Sequence, residues 1–281
     1  MKEMTPTTFA EGLVYPEGLR WHQGKLWISD MRGLWVSTAD KRGRIEHLFQ
    51  VPNRPSGLGF LPDGRMLVVS MLDKQVLRLD PDGLHLHADV SSIAYGNLND
   101  MVVDGEGRAY AGHGGWRGED HRLAHIILIT PDGKARIAAD NMNFPNGTVI
   151  TPDGKTMVVA ETFAHKLTAF TIQRDGSLTD RRTWAVLPED KTPDGMTQDA
   201  EGAIWLGSFR TCEYLRVLQG GEITHRVSTP KRWALSCMLG GDDRKTLYMA
   251  TGETTSERLQ KNDSVGRVEM VRVDVPGAGL P

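Results

Sequence analysis

The sequence predicts an all-β protein, a six-bladed β-propeller with four-stranded blades around a central channel. Three observations support this: a strand-turn-strand unit that recurs six times, a high content of turn residues, and no helical periodicity. The chain has 31 glycines and 14 prolines in 281 residues, which favours many short strands joined by turns. No long stretch has the i, i+3, i+4, i+7 apolar spacing of an amphipathic helix.

The repeat is a short apolar strand, a tight turn rich in Asp and Gly, and a second apolar strand, which is the pattern of a β-hairpin. Its six copies are residues 19–30, 58–70, 101–112, 148–161, 196–208 and 238–251. The turns follow one another at steps of about 40 to 48 residues, the size of a four-stranded propeller blade. Further strands are predicted at 34–38, 75–80, 125–130, 166–172, 214–219 and 267–275.

The same pattern predicts how the chain is organised as a whole. No linker or shift in composition divides it, so we expect residues 1–281 to form a single propeller domain. Ring closure hides most sheet edges. We therefore expect the segment near Thr7–Glu11 to pair with the last blade and join the ends of the ring.

Charge and hydrophobicity exclude several classes of partner. The chain carries 33 basic and 36 acidic side chains, so it has no excess of positive charge for a phosphate backbone, and we expect no nucleic-acid partner. No apolar run approaches the roughly 18 residues of a membrane span, and the first residues contain no signal-peptide run. We expect a cytoplasmic protein without a membrane partner; the sequence makes no prediction of oligomeric state.

Cysteine and histidine do not suggest a redox, zinc or serine-hydrolase site. Cys212 and Cys237 are far apart and belong to no Cys/His cluster, so we expect free thiols. His113 and His121 bracket a Gly-rich loop and are interpreted as surface histidines. The chain has no GxSxG nucleophile motif.

The repeat also aligns one residue per hairpin at the start of its first strand. This residue stands eight positions before the turn in five units and seven in the first, where the turn is one residue shorter. The aligned residues are Glu17, Ser56, Asn99, Asn146, Asp194 and Ser236. Four of them lie in a Pro-X-Gly sequence, in which glycine permits a close approach of backbones. Because the innermost strand of each blade lines the channel, we expect the six side chains to converge at one end of it.

The converging side chains predict a metal site. Glu17, Asn146 and Asp194, with Asn99 nearby, offer oxygen ligands and two negative charges, a donor set that suits Ca²⁺, Mg²⁺ or Mn²⁺. Asn, Asp and Ser at loop ends also form local turns. Six matched positions favour the site over that explanation.

Four segments resemble signature segments of the senescence marker protein/gluconolactonase family, also called regucalcin-like. They are EGLRWHQGKLWISD, NLNDMVVDGEGRAYAG, FPNGTVITPDGKTMVVAET and TPDGMTQDAEGAIWLGS. The resemblance covers nearly the whole chain, with the segments in the family's order and spacing. It implies a six-bladed propeller with one divalent metal in the channel, at which a lactone is hydrolysed.

The resemblance also implies roles for individual residues. The family's metal ligands match Glu17, Asn146 and Asp194, and Asn99 and Asp100 match its substrate-contacting and supporting pair. Ca²⁺ is the first ion expected, with Mg²⁺, Mn²⁺ and Zn²⁺ as alternatives. We expect Asp194 to act also as the general base that accepts a proton from the attacking water.

One departure from the family bears on the substrate. Family members that act on sugar-acid lactones carry an arginine where this chain has Asn97. The loop HGGWRGEDHRL also departs from the family, and Trp116 and Phe144 are expected near the channel mouth. We therefore expect a pocket that is less polar than a sugar-lactone site, with Trp116 as a substrate contact.

The leading interpretation is a metal-dependent lactonase acting on a small-molecule lactone or ester. One alternative keeps the metal but changes the bond, as in aryl ester or organophosphate hydrolysis. Another is a calcium-binding propeller without catalysis.

Overall fold

Six antiparallel sheets repeat around a ring in the computed structural model, which describes residues 1–114 and 123–279. Each of five sheets contributes four consecutive strands to one blade, and the sixth recruits a strand from the N-terminus. The all-β, six-bladed propeller with four-stranded blades is therefore confirmed. The described part of the chain contains no helix with the length and hydrophobicity needed to cross a membrane.

The strands are numbered in chain order. Two precede the blades: β1 (Lys2–Met4) and β2 (Thr7–Leu13). The first blade comprises β3 (Pro16–His22), β4 (Lys25–Asp30), β5 (Trp35–Ala39) and β6 (Ile45–Gln50). The second comprises β7 (Pro55–Phe60), β8 (Met66–Ser70), β9 (Gln75–Asp80) and β10 (Gly83–Asp89). The third comprises β11 (Leu98–Val103), β12 (Ala109–His113), β13 (Ala124–Ile129) and β14 (Ala135–Met142).

The remaining blades follow the same plan. The fourth comprises β15 (Pro145–Ile150), β16 (Thr156–Glu161), β17 (Lys166–Ile172) and β18 (Leu178–Val186). The fifth comprises β19 (Pro193–Gln198), β20 (Ile204–Ser208), β21 (Glu213–Val217) and β22 (Ile223–Ser228). The sixth comprises β23 (Trp233–Gly240), β24 (Thr246–Glu253), β25 (Val265–Arg272) and β2. A 3₁₀ turn at Thr162–Ala164 and a helix α1 at Ser256–Gln260 interrupt the strands.

The N-terminus closes the ring as predicted. Strand β2 pairs antiparallel with β25, with Thr7 opposite Met270. A second contact was not predicted: β1 pairs in parallel with β22, with Lys2 opposite His225, and adds a fifth strand to the fifth blade. The extra strand covers an outer edge that would otherwise expose backbone donors and acceptors.

Each innermost strand has an irregular register near its start. In β15, Pro145 pairs with Glu161 but Thr148 pairs with Val159, so three residue steps on one strand face two on the other. The same shift occurs in β3, β7, β11, β19 and β23. Such bulges bend a strand and redirect its side chains. All six lie at or beside the residues that the repeat aligned.

Two of the Pro-X-Gly glycines show why the motif is needed there. A Cβ at Gly147 would lie 2.3 Å from the carbonyl oxygen of Asp194 on the next innermost strand. A Cβ at Gly57 would lie 2.3 Å from the backbone nitrogen of Met101. A side chain at either position would push neighbouring inner strands apart and widen the channel.

The core consists of apolar clusters between neighbouring blades. One cluster contains Leu67 and Val69 of the second blade with Met101 and Ala109 of the third. Trp205, in the fifth blade, is 1% exposed and packs with residues of the sixth. Because every blade packs against two others, the positions of the inner strands are set by the whole ring.

Two smaller predictions have different outcomes. His113 is fully buried at the end of β12, so its interpretation as a surface histidine was wrong. His121, interpreted in the same way, lies outside the described residues. Both cysteines are free as predicted, Cys237 buried and Cys212 half-buried.

Candidate metal centre

The innermost strands bring the predicted ligands to one end of the channel. Glu17, Asn146 and Asp194 stand near the starts of β3, β15 and β19, and the latter two are 8% and 6% exposed. Burial, then the charges of Asp194 and Asp100, raise the pKa of Glu17 well above its usual range. Burial and the charge of Asp100 likewise raise the pKa of Asp194. Three carboxyl groups from three blades therefore act on one another through a low-dielectric space.

The amide of Asn146 is held by a short hydrogen-bond chain. Its Nδ2 donates to Oγ1 of Thr162 over 3.3 Å, and Thr162 Oγ1 donates to the carbonyl oxygen of Pro193 over 2.8 Å. A side-chain hydrogen bond from Asn146 also lowers the pKa of Asp194, against the larger effect of burial. Since the amide nitrogen is engaged in this way, the Asn146 oxygen is the atom left to bind a ligand.

Asp100 and Asn99 are neighbours in β11 with different surroundings. The Asp100 carboxylate accepts from Nη2 of Arg20 over 3.2 Å and from the Met101 backbone nitrogen over 2.8 Å. The Asn99 Nδ2 is buried and has no hydrogen-bond partner among the described residues. A buried amide nitrogen without an acceptor is costly. The position of Asn99 beside the carboxylates therefore suits a bound water or substrate oxygen.

Arg20 is a channel residue that the sequence analysis missed. It is 4% exposed and its guanidinium donates to the carbonyl oxygens of Leu19 and Met101 as well as to Asp100. The side chain thus links β3 to β11, two blades apart. The signal that could have found it is a charged residue inside an otherwise apolar hairpin strand.

The central residues fit a hard divalent cation. Half-buried Glu17 and buried Asp194 both have raised pKa values, so two ionised carboxylates there need a compensating positive charge. Arg20 forms an ion pair with Asp100, but the described residues provide no ion pair for Glu17 or Asp194. Carboxylate and amide oxygens without imidazole or thiolate are the donors that Ca²⁺, Mg²⁺ and Mn²⁺ prefer.

A second acidic cluster has a different explanation. Asp80, Asp82 and His85 place three possible ligand atoms within 4.8 Å of one another. However, Asp80 already forms ion pairs with Arg78 at 2.6 Å and Arg65 at 3.2 Å. These contacts account for the cluster as part of the blade surface.

Aromatic side chains surround part of the channel mouth. The rings of Phe144 and Phe163 lie 5.0 Å apart, and those of Phe209 and Trp233 lie 5.3 Å apart. Trp116, the predicted substrate contact, lies outside the described residues. Asn97 is exposed, and its carbonyl oxygen accepts from the Gly114 nitrogen over 2.8 Å.

A large cavity opens at the opposite end of the channel, where the hairpin turns lie. Its volume is about 870 Å³, and Arg20 and residues of the hairpin turns, such as Asp104 and Asp153, line it. We assign the chemistry to the other end because the desolvated carboxylates and the unsatisfied Asn99 amide are there.

Comparisons with known proteins agree with this architecture. The sequence model of the SMP-30/Gluconolactonase/LRE-like region matches residues 15–253. The chain is 25% identical over 263 residues to a 6-deoxy-6-sulfogluconolactonase from Pseudomonas putida, covering 91% of this chain and 89% of that protein. It is 28% identical over 185 residues to regucalcin from Danio rerio, covering 64% of this chain and 63% of that protein.

A solved structure shows the same fold over its whole length. Regucalcin from Agrobacterium tumefaciens, described as a calcium-binding protein, superposes with a TM-score of 0.83 at 20% identity, covering 100% of this chain and 98% of that one. The family match includes every candidate ligand, since Glu17, Asn146 and Asp194 all lie within residues 15–253. The chain belongs to the SMP-30/gluconolactonase/LRE-like family.

Proposed function

We propose that this protein is a metal-dependent lactonase that opens a cyclic ester with water. The observation that carries the proposal is the pair of desolvated carboxylates, half-buried Glu17 and buried Asp194, at the same end of the channel as the unsatisfied amide of Asn99. The lactonase names of relatives such as the Pseudomonas putida protein support the same reaction. The reactive end would be built by innermost strands from four blades.

Glu17, Asn146 and Asp194 would hold one divalent cation, with Ca²⁺ as the first candidate. When bound, the cation supplies a Lewis acid for the lactone carbonyl and lowers the pKa of a neighbouring water. The regucalcin relatives support a divalent ion, since one is described as calcium-binding.

Three side chains would have separate roles in the reaction. Asp194, which faces the channel, would accept the proton of the attacking water. Asn99 would donate from Nδ2 to a substrate oxygen, which satisfies the amide that has no partner among the described residues. Asp100, paired with Arg20, would position the Asn99 backbone.

The substrate would present few hydroxyl groups to the aromatic side of the mouth. Phe163 and Phe209 follow the second strands of the fourth and fifth blades, beside Phe144 and Trp233. Asn97 stands where sugar-lactone hydrolases of the family carry an arginine. Both features favour a less hydroxylated ring than gluconolactone.

A proton-release assay tests the metal and the bond together. Metal-stripped protein is tested against sugar-acid, aliphatic and aromatic lactones, an aryl acetate and an organophosphate, with Ca²⁺, Mg²⁺, Mn²⁺ or Zn²⁺ restored in turn. We expect metal-restored hydrolysis of lactones, fastest for the less hydroxylated ones. Preference for gluconolactone would refute the substrate argument alone. Hydrolysis of only the aryl acetate or organophosphate, or binding of Ca²⁺ without turnover, would replace the lactonase with one of the alternatives.

A further inference from the structure

Two arginines lie on adjacent blades at the metal end of the channel. Arg32 is in the loop between β4 and β5, and Arg54 directly precedes β7. Because Pro16 pairs with Asp30, the loop that carries Arg32 is at the same end of its sheet as Glu17. The start of β7 lies at the equivalent end of the next blade. Both side chains are half-buried.

The charge of Arg54 acts on Arg32, as expected for two half-buried groups at the same end of adjacent blades. Burial, and then the positive charge of Arg54, lower the pKa of Arg32, while Tyr15 acts on it in the opposite direction. Tyr15 is itself within electrostatic range of Glu17 and Asp194, whose charges add to the effect of burial in raising its pKa. The arginines therefore stand beside the reacting end rather than on the outer surface.

Neither arginine has a carboxylate partner within residues 1–114 and 123–279. Nor does either side chain donate a hydrogen bond there, and Arg32 Nε is a buried donor without an acceptor. Elsewhere, buried or half-buried arginines such as Arg78, Arg108 and Arg216 pair with an aspartate of their own blade. Two neighbouring guanidinium groups without acceptors repel each other and need an anion.

Among the described residues, Arg32 and Arg54 differ from the other charged groups at this end. Arg20 pairs with Asp100, and buried Asp30 accepts from three backbone nitrogens. Arg210 stacks on two aromatic rings. A divalent cation would balance Glu17 and Asp194, whereas Arg32 and Arg54 have no such partner.

We propose that Arg32 and Arg54 bind an oxyanion substituent, a carboxylate or sulfonate, on the lactone substrate. The inference rests on the proposed lactonase function and specifies its substrate class. Guanidinium groups suit such anions because their N–H donors match paired oxygens. The first and second blades would thus present positive charge to the substrate. The fourth and fifth blades, on the opposite side of the ring, would present aromatic side chains. The substrate has an anionic end and a ring with few hydroxyl groups.

Matched lactones test the proposal by hydrolysis. The probes are γ-butyrolactones that carry a carboxylate, a sulfonate or a carboxamide, attached directly or through one methylene. With metal restored, we expect kcat/KM for at least one anionic lactone to exceed that of its carboxamide by about tenfold or more. Arg32→Gln and Arg54→Gln should each lower kcat/KM for that anion about tenfold and change the carboxamide by less than about twofold.

Two further variants separate this role from a general effect of charge or folding. Arg32→Lys keeps the charge and should retain part of the anion preference. Arg210→Gln removes an arginine that stacks on Phe163 and Phe209, at 5.5 and 5.6 Å from their ring centres. It should leave the preference unchanged. Equal rates for the anions and carboxamides in the wild type, with hydrolysis still metal-dependent, would overturn the inference and leave the lactonase intact.

A binding measurement keeps the inference testable if no lactone is hydrolysed. Pyroglutamate and pyroglutamamide are lactams that match the directly substituted lactones but resist hydrolysis, and their binding can be followed by calorimetry. We expect pyroglutamate to bind the wild type at least about tenfold more tightly than the amide, and Arg32→Gln to remove the difference. Equal binding of the two lactams by the wild type refutes the anion site whatever the enzyme hydrolyses.

Discussion

Aspartates at opposite ends of two neighbouring hairpins have opposite environments. Asp153, in the turn of the fourth blade, is exposed and accepts from the Thr151 hydroxyl at 2.6 Å and the Lys155 nitrogen at 3.0 Å. These bonds lower its pKa. Asp194, at the channel end of the next blade, is buried near Asp100, and its pKa is raised. Position within the blade, rather than residue type, decides whether a carboxylate fixes a turn or stays available for a ligand.

The largest effect is expected when the buried carboxylate of Asp194 is neutralised. Asp194→Asn should lower kcat by about 10³-fold or more, because it removes a candidate base and a ligand charge together. The metal-free variant should be at least as stable as the wild type, since a buried like-charge repulsion disappears. Lactone turnover and thermal unfolding measure the two effects. Asp153→Asn is the control at the turn; retention of more than a tenth of the activity by Asp194→Asn would place the base elsewhere.

The second prediction concerns an aspartate that lies in a hairpin turn but is buried. Asp199, in the turn of the fifth blade, is 1% exposed and accepts from the Glu201 and Ala203 nitrogens, each at 3.0 Å, and from Arg216 Nε at 2.7 Å. Asp199→Ala should cost about 3 kcal/mol of unfolding free energy, because it breaks a buried ion pair and leaves two backbone nitrogens without their acceptor, although Arg216 keeps its ion pair with Glu201. The folded fraction should keep its kcat. Urea unfolding checks this against Asp153→Ala, which should lose little; equal losses would show that turn aspartates act without regard to burial.

Burial also shifts the pKa of a basic group at the end of β12. His113 Nδ1 donates to the Gly114 carbonyl oxygen at 2.9 Å, and Nε2 accepts from the His125 nitrogen at 3.1 Å. Burial lowers its pKa to about 4, while the bond to Gly114 opposes the shift and His125 and Lys74 add smaller effects. Loss of water raises the pKa of Asp194 and lowers that of His113, because in both it disfavours the charged form.

The sign of the pH effect follows from that lowered pKa. Between about pH 6.5 and 4 the unfolded chain binds the His113 proton and the folded chain does not, so stability falls as the pH falls, by up to about 3 kcal/mol. Urea unfolding at pH 7 and 4.5 measures the fall. His113→Gln should show a smaller one. An unchanged pH dependence in the variant would exclude His113 as its source.

The smallest predicted effect concerns the hydrogen-bond chain behind Asn146. Thr162→Val removes both the acceptor for Asn146 Nδ2 and the donor to Pro193. Metal affinity should fall about 10- to 100-fold, while kcat at saturating metal changes less, since no ligand atom is lost. Calorimetric titration of Ca²⁺ gives the affinity. Thr162→Ser, which restores the hydroxyl, should recover it; failure to recover would mean that the methyl packing, not the bond, positions Asn146.

Much of the fold was predictable because its signal is local and repeated six times. Turn chemistry and apolar strands define each hairpin, and the pairing of Thr7 with the last blade follows from the need to cover edges. The fourth strands were harder to predict, since Ile45–Gln50 and Leu178–Val186 are largely exposed and weakly apolar. Strand β1 was missed for the same reason.

The candidate site was predictable only in part. Alignment of the repeat located Glu17 and Asp194, because equivalent positions in a ring must converge. It could not locate Arg20, whose role depends on reaching β11 two blades away. The pair of Arg32 and Arg54 was also missed, since 22 positions separate them in the chain and only the ring makes them neighbours.

The blade and the number of blades therefore follow from the sequence, because each depends on a pattern repeated along the chain. Which groups lose water and which find partners depends on the tertiary structure. Burial raises the pKa of Asp194, whereas Asp153, exposed in the neighbouring hairpin turn, has a pKa lowered by its hydrogen bonds. Burial also left the Asn99 amide and the Arg32 guanidinium without partners among the described residues. Desolvation depends on everything packed around a group, which no local stretch of sequence contains.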